Sequence, residues 1–463
     1  MTTWFAPGQR VHIVGVGGAG MSAIARILTQ RGCVVTGSDA VAAQRLSALA
    51  AAGVGVSVGH RADAIAHNAP DVVVASSAVA QSNVEVQAAH AAGIPVLARP
   101  EATGLLVQPW RVLAVSGTHG KTTTSSMLTL AMRAADVDCS YLIGSELHAT
   151  GDNAHEGASP WAVVEADESD GTALLLNPAA VAVTNVDADH LDRWGTVDRM
   201  RAAFQRFVDG DGPGRQPEFV VTCADDPGAA SLTSSAGQLR RTYGFAPTAD
   251  AVVEVTSEDE AGCEFRVRGA LDIVLRTHVP GRHNVLNATA AALLADHAGA
   301  AAGAIASGIG GYAGARRRFE LQGRAAGVRV FDDYAHHPTA VAATLQAAST
   351  VAAGRVIVLC QPYRWYRTAM FVAEYAQVLA AADWTVLVDV FGPGEEPVPG
   401  AGAPDIAARM RDAGAKVDYC GSKDEAVALI ASAARDGDIV LTLGGEDIRP
   451  SGPELVDLLG RGA

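Results

Sequence analysis

Arg111-Val-Leu-Ala-Val115-Ser-Gly117-Thr118-His119-Gly120-Lys121-Thr122-Thr123 reads as a short apolar strand that runs into a glycine-bearing loop and then a helix. Such a junction turns bare backbone N–H groups and a helix N-terminus toward the place where a phosphate lies. The spacing departs from the full nucleotide-loop pattern, because Val115 stands where a further glycine is usual. The remaining G-x-x-G-K-T sets Lys121 for β/γ-phosphates and Thr122 for Mg²⁺. A second arrangement lies about a hundred residues upstream. Arg10-Val-His-Ile-Val14 leads into Gly15-Val-Gly17-Gly18-Ala19-Gly20-Met21, a G-x-G-x-x-G loop after a strand. Asp39, in Thr36-Gly-Ser38-Asp39, stands about 20 residues on, where a ribose-binding acid belongs. Alone, this loop most commonly means NAD or FAD, or a tight turn with no ligand. Together, two loops of different type imply one chain that handles two phosphorylated ligands, one of them ATP.

Outward from these loops, the chain alternates short β-branched runs with Ala-rich helical stretches. Strands are predicted at Val11–Gly15, Cys33–Gly37, Val72–Ala75, Pro95–Leu97, Trp161–Glu165 and Val181–Thr184. Others follow at Val328–Phe331, Arg355–Cys360, Trp384–Val390 and Ile439–Leu443. This alternation predicts parallel α/β sheets. Residues 240–280 alternate apolar and polar and are read as antiparallel strands at an edge. The expected fold class is α/β in three domains. These are a Rossmann-like N-terminal domain (1–107), a central P-loop-type domain (108–315) and a C-terminal Rossmann-like α/β domain (316–463).

The 463 residues include 49% hydrophobic and 18% charged side chains, which suffices for sizeable cores and argues against disorder. A formal net charge of −15 disfavours nucleic acid as a partner. The Ala-rich stretch from Val285 to Ala315 is broken by Asn287, Asp296, His297 and several glycines, so no membrane partner is expected. Six cysteines without a CxxC pair suit a reducing compartment. Met1-Thr-Thr-Trp-Phe-Ala-Pro7 has no basic segment before an apolar run, and a cytoplasmic location is expected.

Three further clusters sit at predicted strand ends, where α/β sheets bind ligands. Glu165-Ala-Asp167-Glu168-Ser-Asp170 holds four carboxylates in six residues, and Asp187-Ala-Asp189-His190-Leu-Asp192 follows the next strand. Carboxylate oxygens suit Mg²⁺, and imidazole is a less usual ligand for it. Spacing alone therefore favours the carboxylates and reads His190 as a structural hydrogen-bonder. Asp332-Asp333-Tyr334-Ala-His336-His337-Pro338 holds two acids and two imidazoles. Gly281-Arg-His-Asn284 opens a helix, with capping by Asn284 as the plain reading, and Arg316-Arg317-Arg318 reads as a solvated charge run.

Taken in order, these segments resemble the Mur ligase family over nearly the whole chain. The resemblance implies UDP-substrate, ATP-binding and amino-acid-binding domains. The implied reaction joins L-alanine to the carboxylate of UDP-N-acetylmuramate with ATP and Mg²⁺, through an acyl phosphate. This is the first peptide step of peptidoglycan precursor synthesis. By the same resemblance, Gly17, Gly18, Ala19, Gly20 and Met21 hold the UDP diphosphate. Ser38, Asp39, Ser76 and Ser77 lie along the uridine. Gly117, Thr118, His119, Gly120, Lys121, Thr122, Thr123, Asn284, Arg318 and Asp333 bind ATP. Thr122, Glu165 and His190 hold the metal, so the resemblance replaces the plain reading of His190. Lys121, Arg318 and His336 act in catalysis, with His336 as general base, and Arg367 meets the alanine carboxylate. The chain departs from the family pattern at Tyr363, where a histidine is usual, and at Gly444-Gly-Glu446-Asp447. Both departures bear on the amino-acid pocket. A recycling ligase of the same family, which adds whole peptides, is the alternative within it. An NAD-dependent oxidoreductase leaves Lys121 and the acidic run unexplained, and a regulatory P-loop ATPase leaves the first glycine loop unexplained.

Overall fold

The computed structural model describes residues 4–42, 44–210, 216–259 and 262–461. They form two compact units. The first comprises Met1–Glu254, Arg266–Leu275 and Leu286–Tyr312, and the second Val255–Phe265, Arg276–Val285 and Ala313–Ala463.

The N-terminal sheet of the first unit contains β1 (Arg10–Val14), β2 (Val34–Asp39), β3 (Gly55–Val58), β4 (Val72–Ala75) and β5 (Val96–Ala98). Its order is β3-β2-β1-β4-β5, and each neighbouring pair is parallel. The order reverses direction at β1, so the chain leaves β1 and β4 on opposite sides of a crevice. Ligands bind such α/β sheets at this switch point. The loop after β1 carries the first glycine motif, and the loop after β4 carries Ser76 and Ser77. Val14, Val73 and Ala75 pack with Ile65, Val86 and Ala89 beneath the crevice.

The second sheet is built from β6 (Arg111–Ser116), β7 (Ser140–Leu142), β8 (Ala154–His155), β9 (Trp161–Glu165), β10 (Pro178–Val183), β11 (Phe219–Cys223), β12 (Leu239–Gly244), β13 (Ala251–Asp259), β14 (Gly262–Gly269) and β15 (Ile273–Thr277). Its order is β15-β14-β13-β12-β11-β10-β6-β9-β7-β8. β6 lies between β10 and β9, in parallel with both. Three loops that are far apart in sequence therefore leave the sheet side by side. The antiparallel reading of 240–280 is corrected at β12, which pairs in parallel with β11 and β13. Alternation reports one buried and one wet face, and it does not report strand direction.

In the second unit, β16 (Glu320–Ala325), β17 (Val328–Asp333), β18 (Val356–Cys360), β19 (Trp384–Val388), β20 (Val417–Gly421) and β21 (Ile439–Leu443) form a sheet of order β16-β17-β21-β18-β19-β20. Only the edge strand β16 runs antiparallel to its neighbour. Val356, Val358 and Cys360 enter the core on one face, and Ile357 and Leu359 enter the core on the other. That two-sided burial is why the strand is a continuous apolar run. Among the described residues no helix is long and apolar enough to cross a membrane.

Candidate active site

The nucleotide loop leaves β6 through Gly117 and enters the helix Lys121–Ala134 through Gly120. Both glycines have positive φ, +132° and +83°. A Cβ on Gly117 would meet the Thr184 hydroxyl at 2.1 Å, and one on Gly120 would meet Asn287 Oδ1 at 2.4 Å. Conformation and crowding both demand glycine there. The loop is tied to the segment after β10. Thr184 Oγ1 donates to the His119 carbonyl (2.6 Å), His119 N donates to Asn185 Oδ1 (2.8 Å), and Asp187 N donates to Thr118 Oγ1 (2.9 Å). The His119 ring lies 3.1 Å from Asp187 Oδ2.

Lys121 Nζ donates to the carbonyls of Gly117 (2.6 Å) and Thr118 (3.2 Å) and to Glu168 Oε2 (2.7 Å). Burial works to lower the lysine pKa, but Glu168 and Asp167 outweigh it and raise the value above the ordinary one. Glu168 is buried, which pushes its carboxyl up to about 7; Lys121 opposes the rise and Asp167 adds to it. Its other oxygen, Oε1, has no hydrogen-bond partner among the described residues and lies 3.8 Å from His190 Nε2. Behind Glu168 is an apolar cavity of about 10 Å³ lined by Gly171, Leu174, Trp194, Met200 and Phe204, room for about one water.

Thr122 Oγ1 donates to both oxygens of Glu165 (3.1 and 3.0 Å), and Gly144 N donates to Glu165 Oε2 (2.7 Å). His190 adopts a left-handed backbone (φ 51°) and holds its ring between Glu168 and Asp189 (3.8 and 3.6 Å). Thr122, Glu165 and His190, set apart by 68 residues of chain, thus converge on one sheet end because β6, β9 and β10 are neighbours. Hydroxyl and carboxylate oxygens with an orphaned buried carboxylate oxygen beside them are a donor set that suits Mg²⁺. Glu168 was legible only as one acid of four; its pairing with Lys121 required the tertiary fold.

At the first loop, Gly15 has φ +82° and a Cβ there would lie 2.9 Å from the Ser76 Cβ. Gly17 N donates to Asp39 Oδ2 (2.9 Å), so Asp39 closes the loop on itself, and Arg45 donates to the Gly17 carbonyl (2.8 Å). Ser38 is buried and donates to Glu85, which also accepts from Arg61 N (3.0 Å). Ser77 Oγ donates to Asp170 Oδ2 (3.0 Å). A residue that sequence reading passed over, Arg99, donates through Nε to Asp170 (2.6 Å) and through Nη2 to Asp167 (2.8 Å). It had no signal beyond its place after a short strand.

In the second unit, the loops after β17, β18 and β21 adjoin. Arg317 is buried, with Nε on Asp332 Oδ2 (2.8 Å) and Nη2 on the Gly444 carbonyl (3.0 Å). The reading of 316–318 as a solvated run is therefore corrected at Arg317: a buried carboxylate and a carbonyl hold this guanidinium inside, while Arg316 is exposed. Arg318 lies over the Tyr334 ring at 5.7 Å. Asp333 accepts from Phe319 N (2.8 Å) and Ala335 N (2.7 Å), and burial raises its pKa although Arg318 opposes the rise. His336 Nδ1 lies 2.6 Å from the Tyr334 carbonyl, and the ring stands edge-on to Tyr363 with centroids 5.3 Å apart. A carbonyl only accepts, so Nδ1 carries the proton and Nε2 holds the lone pair of the neutral ring. Arg367 is buried, with Nη1 3.3 Å from the Tyr363 carbonyl. Asn284 is buried inside the helix Arg282–His297 and donates to the Pro280 carbonyl (2.7 Å).

The chain matches three family models in succession: the Mur ligase family catalytic domain over residues 10–111, the Mur ligase middle domain over 115–295, and the Mur ligase glutamate ligase domain over 317–445. It is 44% identical over 459 residues to the UDP-N-acetylmuramate–L-alanine ligase of Saccharopolyspora erythraea, covering 97% of this chain and 93% of that one. It is 45% identical over 456 residues to the enzyme of the same name from Kineococcus radiotolerans, covering 97% and 96%. The crystal structure of the UDP-N-acetylmuramate–alanine ligase of Thermotoga maritima superposes with a TM-score of 0.82 at 27% identity, over 98% of this chain and 100% of that one. By sequence, by fold and by the order of its loops, the chain belongs to the Mur ligase family.

Proposed function

We propose that this chain joins L-alanine to the carboxylate of UDP-N-acetylmuramate at the expense of ATP, the first peptide step of peptidoglycan precursor synthesis. The observation that carries this reading is the pair of phosphate loops joined through one acidic run. Glu165 and Glu168 engage the nucleotide loop, while Asp170 engages Ser77 and Arg99 beside the first loop. The curated relatives named above support the choice of reaction. All six cysteines are free thiols, which suits a reducing compartment, and we place the reaction in the cytoplasm. The partners are the two small substrates and ATP.

A carboxylate resists attack because a nucleophile would add charge to an anion. Transfer of the ATP γ-phosphoryl to one oxygen releases ADP and creates a leaving group, and the neutral amine of alanine then displaces phosphate to form the amide with loss of a proton. The backbone N–H groups of Gly117–Thr123 cradle the phosphates, and Lys121 exchanges its contact with Glu168 for the phosphoryl oxygens. Thr122, Glu165 and His190 would hold Mg²⁺, which neutralises charge on the transferring phosphoryl. Gly17–Met21 receive the UDP diphosphate, with Ser38, Asp39, Ser76 and Ser77 along the nucleoside. Asn284, Arg318 and Asp333 serve the nucleotide, and Arg367 the alanine carboxylate. His336, whose Nε2 bears the lone pair, takes the proton released by the attacking amine.

Phosphate release tests the reading. ATP with UDP-N-acetylmuramate and L-alanine should support turnover, whereas replacing alanine by a tripeptide, or the UDP sugar by NAD, should not. Turnover with the peptide in preference to alanine would assign the recycling reaction instead.

A further inference from the structure

Arg99 opens the helix Arg99–Val107 directly after β5, and its guanidinium lies between the acidic run and the first glycine loop. Nε and Nη2 are held by Asp170 and Asp167 of the acidic run (2.6 and 2.8 Å). Nη1 lies against the first turn of the helix that starts at Ala19, 2.6 Å from where a Cβ on Gly20 would stand. The run that grips Arg99 is the one that holds Thr122 through Glu165 and Lys121 through Glu168. Asp170 is itself fixed by Thr172, whose N and Oγ1 donate to Oδ1 (3.0 and 2.7 Å). Ser77, from the loop after β4, donates to the other oxygen of Asp170 (3.0 Å). Arg99, packed against the first glycine loop and hydrogen-bonded to Asp167 and Asp170, is thus joined through the backbone of the acidic run to the Glu168–Lys121 contact.

We propose that Arg99 is a positioning residue that couples occupancy of the two loops. An anion seated at Gly17–Gly20 attracts Nη1 and orders the guanidinium. The fork presented to Asp167 and Asp170 then fixes the run on which Glu165 and Glu168 sit, and through them the nucleotide loop. Coupling of this kind is reciprocal: each ligand tightens the other by the same factor. Lysine at position 99 keeps the charge but lacks the planar fork, and it cannot hold two carboxylates and face the loop together. The inference rests on the reading of the first loop as the UDP-sugar site.

Calorimetry on the full chain with Mg²⁺ tests it. The Kd of a non-hydrolysable ATP analogue is measured with and without saturating UDP-N-acetylmuramate, in wild type, Arg99→Lys and Asp170→Asn. Wild type should show tightening of roughly fivefold or more, the lower end of typical coupling. Both variants should bring the factor close to one, with the analogue's own Kd changed less than the factor. Melting curves identify a variant that has lost its fold, and Asp170→Asn supplies the same loss from the other end of the contact. Coupling that persists undiminished in Arg99→Lys overturns the proposal, as does independent binding of the two ligands in wild type. If the UDP sugar fails to bind wild type at all, the substrate reading itself falls and the coupling with it.

Discussion

Lys121 Nζ lies 2.7 Å from Glu168 Oε2, with both side chains nearly withdrawn from water. The lysine that the nucleotide needs is thus held by a carboxylate with no hydrogen-bond partner on its other oxygen among the described residues. Removing one member of a buried pair strands the other. Lys121→Ala should cut phosphate release by roughly 10²–10³, the loss of an electrostatic stabiliser, and should lower the melting temperature. Adding Glu168→Gln should recover the melt and leave turnover low. A double variant that recovers turnover would remove Lys121 from the chemistry.

Thr122 and Glu165 are 3.0 Å apart, and His190 reaches the same sheet end. If they serve one ion, Glu165→Ala and His190→Ala should each need more Mg²⁺ for half-maximal rate. The double variant should lose much less than the product of the single losses. Multiplicative losses at unchanged Mg²⁺ dependence would separate the two residues.

Glu85 is fully buried and accepts from Ser38 and from Arg61 N, with His12 3.5 Å away. Burial works to raise its pKa, but His12, Ser38 and the Arg61 amide outweigh burial and bring it from 4.5 down to about 2. Because the folded value lies below the unfolded one, the stabilisation is complete above about pH 4.5. It disappears as pH falls through the folded value near 2. The contribution is on the order of 3 kcal/mol. Glu85→Gln should be less stable at neutral pH and should flatten the acid decline in denaturant-unfolding free energy between pH 4.5 and 2. An unchanged acid slope would place the titration elsewhere.

Gly117 has φ +132°, and a Cβ there would overlap the Thr184 hydroxyl at 2.1 Å. Gly117→Ala should cost at least about 2 kcal/mol from backbone strain and overpacking together, and nucleotide affinity should fall with it. Gly93→Ala, at positive φ but with nothing within 4 Å, should show only the backbone part. Equal melting shifts in the two variants would deny the contact with Thr184 any weight.

Sequence alone determined the α/β class and most of its strands. Trp161–Glu165 and Ile439–Leu443 have the predicted ends, because short apolar runs and glycine punctuation are local properties. The same locality made both glycine loops legible, since a strand, a turn and a helix start are contiguous in the chain. The parallel direction of β12 was not legible, because alternation along a strand reports one buried and one wet face and not the direction of its neighbour. Nor was the burial of Arg317, whose partner Asp332 lies on the neighbouring strand. Only the tertiary structure brought Arg99 to Asp170, 71 residues away, and Lys121 to Glu168, 47 residues away. Those pairings follow from the order in which strands are laid side by side. That order is set by packing and chain connection over the whole sheet, which no local window of residues contains.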